Sequence, residues 1–179
     1  LTMTGLAQKL AHVLALVTGG DLFVTLVLAA ILTTILGLGL PTVASYVLAA
    51  VLMGPLLQEL KVPLLSGHMF LLYYAVISAI TPPVAVAAYA AGAIAEANPN
   101  AVALAACRLA FVAFIVPFGF VYAPALLLQG SIGAIALAMT SACLGVLLLS
   151  AAFEGFLFRA LPSWARAAEP WPRCSRPSG

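Results

Sequence analysis

Long apolar stretches fill most of this chain, and short segments that are polar or contain Gly and Pro separate them. Over residues 1–20, apolar positions recur near helical spacing with polar residues between them, which predicts an amphipathic helix lying in the membrane interface. Gly19-Gly20 ends this helix, and Asp21 is placed to cap the free N–H groups of the next one.

The first interrupted unit covers residues 21–57. Its two apolar segments, Leu22 to Leu36 and Val43 to Leu57, have about 15 residues each, against the roughly 20 that a helix needs to cross the hydrocarbon core. Gly37-Leu38-Gly39-Leu40-Pro41-Thr42 separates them. Two short helices that meet at such a turn form either one broken crossing or a re-entrant hairpin, and we favour the hairpin.

The second interrupted unit covers residues 67–95, after a polar turn from Gln58 to Pro63, and its interruption is Thr81-Pro82-Pro83. The two prolines have no N–H group, so carbonyls near Val76 to Ile80 are predicted to lose their helical partners. Irregular backbone at membrane depth is tolerated where it lines a cavity or is buried in protein. Both interruptions are therefore candidate transport-site elements.

The remaining sequence predicts spans over 101–128, kinked or ended near Pro117 and Pro124, and over 132–153. A cytoplasmic tail, partly disordered, is expected over 154–179. Four arginines follow the last span, and this excess of positive charge predicts a cytoplasmic C-terminus. The fold class is thus an all-α, multi-pass integral membrane protein.

Composition supports this class and excludes others. Of the 179 residues, 65% are hydrophobic and 7% are charged, far from the balance of soluble domains. With a net charge of +2 and no basic stretch interleaved with aromatic residues, nucleic acid is not an expected partner. There is no His-x-x-x-His or Gly-x-Ser-x-Gly motif, which argues against an enzyme.

Through several short sequence motifs, the chain resembles the large membrane subunit of tripartite ATP-independent periplasmic (TRAP) transporters. It is most similar in these motifs to the fused permeases paired with TAXI-type solute-binding proteins. The resemblance covers roughly residues 5–128. The motifs that carry the resemblance are Gly37-Leu38-Gly39-Leu40-Pro41-Thr42, Ile80-Thr81-Pro82-Pro83-Val84-Ala85, Ala87-Ala88-Tyr89-Ala90-Ala91, Phe114-Ile115-Val116-Pro117-Phe118 and Val121-Tyr122-Ala123-Pro124-Ala125-Leu126-Leu127.

This resemblance implies an elevator-type secondary transporter built from inverted repeats, of which one repeat, the C-terminal portion of a permease, is present here. It implies cation-driven uptake of an organic, carboxylate-type anion across the bacterial inner membrane. The expected partners are a periplasmic solute-binding protein, the remaining permease repeat, a small membrane subunit and membrane lipid. The coupling ion is Na⁺ or H⁺, with no other cofactor.

The resemblance also implies the site residues of the two interruptions, and Ser45 and Ser78 are added because they lie near these interruptions. Substrate contacts are expected from both interruptions and the helix start that follows the first one: Gly39, Pro41, Thr42, Ser45, Thr81, Pro82 and Pro83. The candidate Na⁺ ligands are Gly37, Gly39, Thr42, Ser78 and Thr81. Half-helix N-termini just after Thr42 and Pro83 would favour a carboxylate. Ala79 stands where an acidic residue is expected from the family.

A rival hypothesis from a different class is a small structural or assembly membrane protein without transport activity of its own. Its glycines would then serve close helix packing. That hypothesis predicts that a polar substitution at Gly39 disrupts assembly rather than uptake.

Overall fold

A computed structural model describes residues 6–154, 156–157 and 159–160, and most of these are helical. The helices are α1 (Leu6–Thr18), α2 (Leu22–Gly37), α3 (Thr42–Glu59), α4 (Leu64–Ile77), α5 (Val86–Ile94), α6 (Pro99–Leu109), α7 (Phe111–Tyr122) and α8 (Ile132–Glu154). Short 3₁₀ turns cover Ser78–Ile80 and Pro124–Leu127.

The structure confirms the predicted all-helical class, with one small exception. Strands β1 (Phe156–Leu157) and β2 (Arg159–Ala160) form a two-residue antiparallel ladder in which Phe156 faces Ala160. The remainder of the tail expected over 154–179, including its expected disorder, lies outside the described residues, as do residues 1–5.

In the part of the chain that the structure describes, three helical segments are long and apolar enough to cross a membrane: Thr42–Glu59, the consecutive helices α6 and α7 over Pro99–Tyr122, and Ile132–Ala151. Two shorter apolar helices, Leu22–Gly37 and Leu64–Ile80, accompany them. This is the pattern of a multi-pass membrane protein. Helix α3 has 18 residues, more than the apolar segment on which the prediction was based, because Thr42, Gln58 and Glu59 also join the helix.

The start of α2 confirms the capping prediction for Asp21. Its Oδ1 accepts hydrogen bonds from the backbone N–H groups of Phe23 and Val24, at 2.8 and 3.2 Å. These bonds satisfy donors that have no partner within the helix. At its other end α2 stops at Gly37, and Gly39 follows with φ +79°, a conformation that favours glycine.

The main core lies where α2, α3 and α4 pack together, with α1 against α3 and α7 against α4. Leu26, Met53 and Phe70 are among its fully buried side chains. Helices α5 and α6 form a second, small core of alanines. Helix α8 packs on the Pro124–Leu127 turn and on α6 and α7, and most of its described residues are exposed.

The span predicted over 101–128 differs in detail from the observed helices. Pro117 lies inside α7, which continues to Tyr122 and ends before Pro124. The boundary between α6 and α7 falls at Ala110 instead. Alanine is the best helix former, so the sequence carries no signal for a boundary at this position.

The hairpin tip and the helix break

The two interruptions lie against each other. We call Gly37–Thr42 the tip and Ser78–Ala85 the break. A Cβ atom added at Gly37 would clash with Ser78 Oγ and lie 2.7 Å from Ser78 Cβ. A Cβ atom added at Gly39 would lie 3.5 Å from Val84 Cγ1. Glycine at position 37 therefore permits the close approach that joins tip and break.

Three hydroxyl groups at the site bond to their own chain segment. Ser45 Oγ donates to the Pro41 carbonyl at 3.1 Å, Ser78 Oγ to the Ala75 carbonyl at 2.7 Å, and Thr81 Oγ1 to the Ile77 carbonyl at 2.9 Å. These bonds occupy the hydroxyl protons and leave oxygen lone pairs free to accept. Such oxygens suit a hard cation.

Hydrogen bonds within the break show which of its backbone carbonyls already have a donor and which could accept another ligand. The Ile77 carbonyl accepts from the Thr81 hydroxyl, and the Ser78 carbonyl accepts from the Thr81 N–H at 3.2 Å. For Ala79, the residues three and four positions later are Pro82 and Pro83, which have no N–H group. No regular helical bond to the Ala79 carbonyl can form, so this carbonyl is the clearest candidate for a backbone ligand in the break.

The break ends at Ala85, not directly after Pro83 as predicted. Ala85 is fully buried with φ +33°, and α5 begins at Val86. A left-handed conformation at a residue other than glycine is costly and occurs preferentially at functional sites. Tyr89 stabilises the same segment, because its hydroxyl donates to the Pro83 carbonyl at 2.7 Å.

Four helix ends meet where tip and break touch. Helices α2 and α4 end there, and α3 and α5 begin there. The last turns of α2 and α4 carry no basic residue, and the first turns of α3 and α5 carry no acidic one. Carboxyl-terminal helix ends favour a cation and amino-terminal ends favour an anion. The site can therefore attract both.

A comparison with known proteins identifies the family of this chain. A family model described as Tripartite ATP-independent periplasmic transporter, DctM component, matches residues 1–155. The chain belongs to the DctM family. It is therefore a transporter permease component and not an enzyme, which confirms the resemblance to the TRAP permease family seen in the sequence. No curated protein and no solved structure matches this DctM-family chain.

An open apolar groove of about 760 Å³ lies beside the break of this DctM-family chain. Its walls come from α2, α4, the break and α7, and they include Thr34, Tyr74, Thr81, Pro82 and Pro83. The three hydroxyl groups among these residues all donate to backbone carbonyls. The groove therefore offers mainly apolar contact next to a polar site.

The structure brings together part of the predicted residue set. Gly37, Ser45 and Ser78 meet directly, since a Cβ atom on Gly37 would also lie 3.5 Å from Ser45 Oγ. Pro41 and Thr42 are exposed on the tip, and Thr81 to Pro83 line the groove. Their roles as ligands in a DctM-family permease stay predictions.

Sequence reasoning missed two features of the break and of the neighbouring helix α2. Ala85 has a left-handed backbone that nothing in its residue type indicates. Thr33 has a buried hydroxyl without a hydrogen-bond partner, although Thr33 and Thr34 look equivalent in the sequence. Only the direction that each side chain faces in the folded chain separates them.

Proposed function

We propose that the permease containing this chain carries an organic anion inward across the bacterial inner membrane by symport with Na⁺. A periplasmic solute-binding protein delivers the anion, and the remaining permease repeat and a small membrane subunit complete the transporter. The observation that carries this proposal is the contact between tip and break, where four helix ends converge and both helical segments are interrupted.

The chemistry of the site supports Na⁺ over H⁺ as the coupling ion. Neither the tip nor the break contains Asp, Glu, His, Lys or Cys. In the described part of the chain, no group of three His, Cys, Asp or Glu residues lies together. Proton coupling needs a titratable group, whereas carbonyl and hydroxyl oxygens are sufficient to bind a hard cation.

Two features support an organic anion as the transported solute. The N-termini of α3 and α5 offer unpaired N–H groups and a positive partial charge to a carboxylate. The neighbouring groove offers apolar contact to the rest of the molecule. In this proposal α2 and α3 form a re-entrant hairpin, one half of an inverted-repeat elevator transporter, and the C-terminus is cytoplasmic.

The test is Na⁺-dependent uptake of an organic acid by the whole reconstituted permease, supplied with its binding protein. Thr42→Val and Thr81→Val are each expected to raise the Na⁺ concentration for half-maximal uptake by about tenfold, since each removes one oxygen ligand. Thr81→Ser, which keeps the hydroxyl, should behave like the wild type.

Thr140→Val is the matched control, because the Thr140 hydroxyl is exposed on α8 and donates to the Ala136 carbonyl at 2.9 Å. It should leave uptake unchanged. Wild-type Na⁺ dependence in both Thr42→Val and Thr81→Val, at normal protein levels, would refute the site assignment.

A further inference from the structure

Tyr89 of α5 connects the break to the start of α6. Its Oη lies 2.7 Å from the carbonyl oxygen of Pro83, six residues earlier, and 3.0 Å from Oδ1 of Asn100, eleven residues later. Both distances are in the range of a hydrogen bond. Asn100 belongs to the first turn of α6, so one side chain bridges the break and the following helix.

The chemistry of the three groups fixes the direction of these bonds. A tyrosine hydroxyl carries one proton, and the Pro83 carbonyl can only accept. The Tyr89 hydroxyl therefore donates to Pro83. The second contact is satisfied when the Asn100 amide presents its NH₂ group to Tyr89 Oη, since the two ends of a side-chain amide fill the same space. Asn100 then donates to Tyr89, and each bond strengthens the next.

Helix α6 also holds the break by direct packing. A Cβ atom added at Gly92 of α5 would lie 3.2 Å from Pro99 Cα, so the two helices approach closely at this point. Three buried alanines form a small core where α5 and α6 meet: Ala85, Ala88 and Ala103. The position of α6 is therefore linked to Ala85 through this core and to the Pro83 carbonyl through the hydrogen bonds.

The end of the break needs such support. Ala85 has φ +33°, and a left-handed conformation at alanine persists only where the surrounding structure holds it. The Pro83 carbonyl lies two residues before this position. A hydrogen bond that fixes the orientation of this carbonyl limits the conformations open to the segment between Pro83 and Ala85.

We propose that Tyr89 and Asn100 are positioning residues of the permease, because their hydrogen bonds to Pro83 hold the break in the conformation that transport requires. Both residues lie outside the two interruptions, and neither is assigned a contact with the solute or the ion. The consequence for uptake rests on the proposed function, whereas the effect on the break is measured without transport.

Hydrogen–deuterium exchange of the purified whole permease measures this effect directly. The Ala85 N–H donates to the Thr81 carbonyl at 3.1 Å, so its exchange reports how often the break opens. Tyr89→Phe keeps the ring and removes the hydroxyl. We expect about fivefold faster exchange at Val84 and Ala85. Exchange in α7 and the midpoint of thermal unfolding should stay at the wild-type values, since Tyr89 lies outside the main core.

Asn100→Asp separates the donor role of Asn100 from an ordinary structural one. A carboxylate only accepts, so it competes with Pro83 for the Tyr89 proton. We expect faster exchange at Ala85, as in Tyr89→Phe. A purely structural role predicts the opposite, because a negative charge in the first turn of a helix is stabilising.

Asn98→Asp is the matched control for the added charge. The Asn98 side chain caps α6 by accepting from the backbone N–H groups of Asn100 and Ala101, and aspartate caps equally well. This variant should exchange like the wild type at Ala85.

Uptake by the whole reconstituted permease, supplied with its binding protein, tests the consequence for transport. Tyr89→Phe and Asn100→Asp should each raise the Na⁺ concentration for half-maximal uptake about fivefold. The maximal rate should stay near that of the wild type. The reason is that a break only partly in the competent conformation lowers the apparent affinity by that fraction.

The outcomes distinguish this inference from the proposed function. Wild-type exchange in Tyr89→Phe, or equal effects of Asn100→Asp and Asn98→Asp, would overturn the inference. Faster exchange with wild-type uptake in both variants would also overturn it, since the bonds would then serve stability alone. Absence of Na⁺-dependent uptake in the wild type refutes the proposed function, while the exchange rates still decide whether the bonds hold the break. If Tyr89→Phe fails to fold, Asn100→Asp against Asn98→Asp decides by the same exchange measurement.

Discussion

At the scale of single residues, small side chains allow the tip and the break to lie in direct contact. Gly37 allows the tip to rest directly on Ser78, and the buried hydroxyls nearby bond to their own helices. Oxygen atoms and backbone carbonyls, not charged side chains, then provide the polar surface. A surface of this kind is suited to the proposed ion, because it places no permanent charge inside the membrane.

The contact at Gly37 gives a prediction about stability. Gly37→Ala places a methyl group against Ser78 Oγ and Cβ, so the tip and the break must separate or shift. We expect a loss of about 1–3 kcal/mol in the free energy of unfolding, as for other overpacked sites, measured by thermal or denaturant unfolding of the purified permease.

A second substitution tests the cause of that loss. Ser78→Gly removes both atoms that the new methyl group would strike. The double variant Gly37→Ala/Ser78→Gly should therefore be less destabilised than the sum of the two single variants. Strict additivity would contradict the contact between tip and break.

At the scale of elements, α4 links the site to the rest of the fold. Its Tyr74 hydroxyl donates to the Phe114 carbonyl of α7 at 2.6 Å, and the Tyr74 ring packs on Phe118 and Phe70. The break follows α4 directly, so this bond holds the helix that presents the break.

Removing that bond should loosen α4 from α7. Tyr74→Phe keeps the ring and is expected to lower the free energy of unfolding by about 1 kcal/mol. Thermal unfolding of the purified permease measures this loss. The control is Tyr73→Phe, because the edge contact of Tyr73 with Phe120 needs only the ring. Equal stability of Tyr74→Phe and Tyr73→Phe would show that the bond contributes nothing.

The sequence predicted elements better than it predicted their contacts. Gly37, Pro41 and the two prolines of the break are strong local signals, and Asp21 is a cap that residue type alone identifies. The bond from Tyr74 to Phe114 joins residues 40 positions apart, and nothing local specifies it. The left-handed Ala85 and the partnerless Thr33 hydroxyl follow from tertiary packing, so residue type could not reveal them.

At the scale of the whole molecule, the chain belongs to the DctM family of permeases, and the proposed transport site lies between its two interrupted helical units. Apolar side chains remain exposed along α8 and on the outer faces of α2 and α3. Lipid and the proposed remaining repeat are the surroundings that suit these faces.

The most direct test of the account is an electron cryo-microscopy structure of the whole transporter, determined once in NaCl and once in choline chloride. We predict a density peak present only in NaCl, between tip and break, within bonding distance of the Ala79 carbonyl. A structure in which the tip lies apart from the break, or in which the Na⁺-dependent density lies elsewhere, would contradict the central claim.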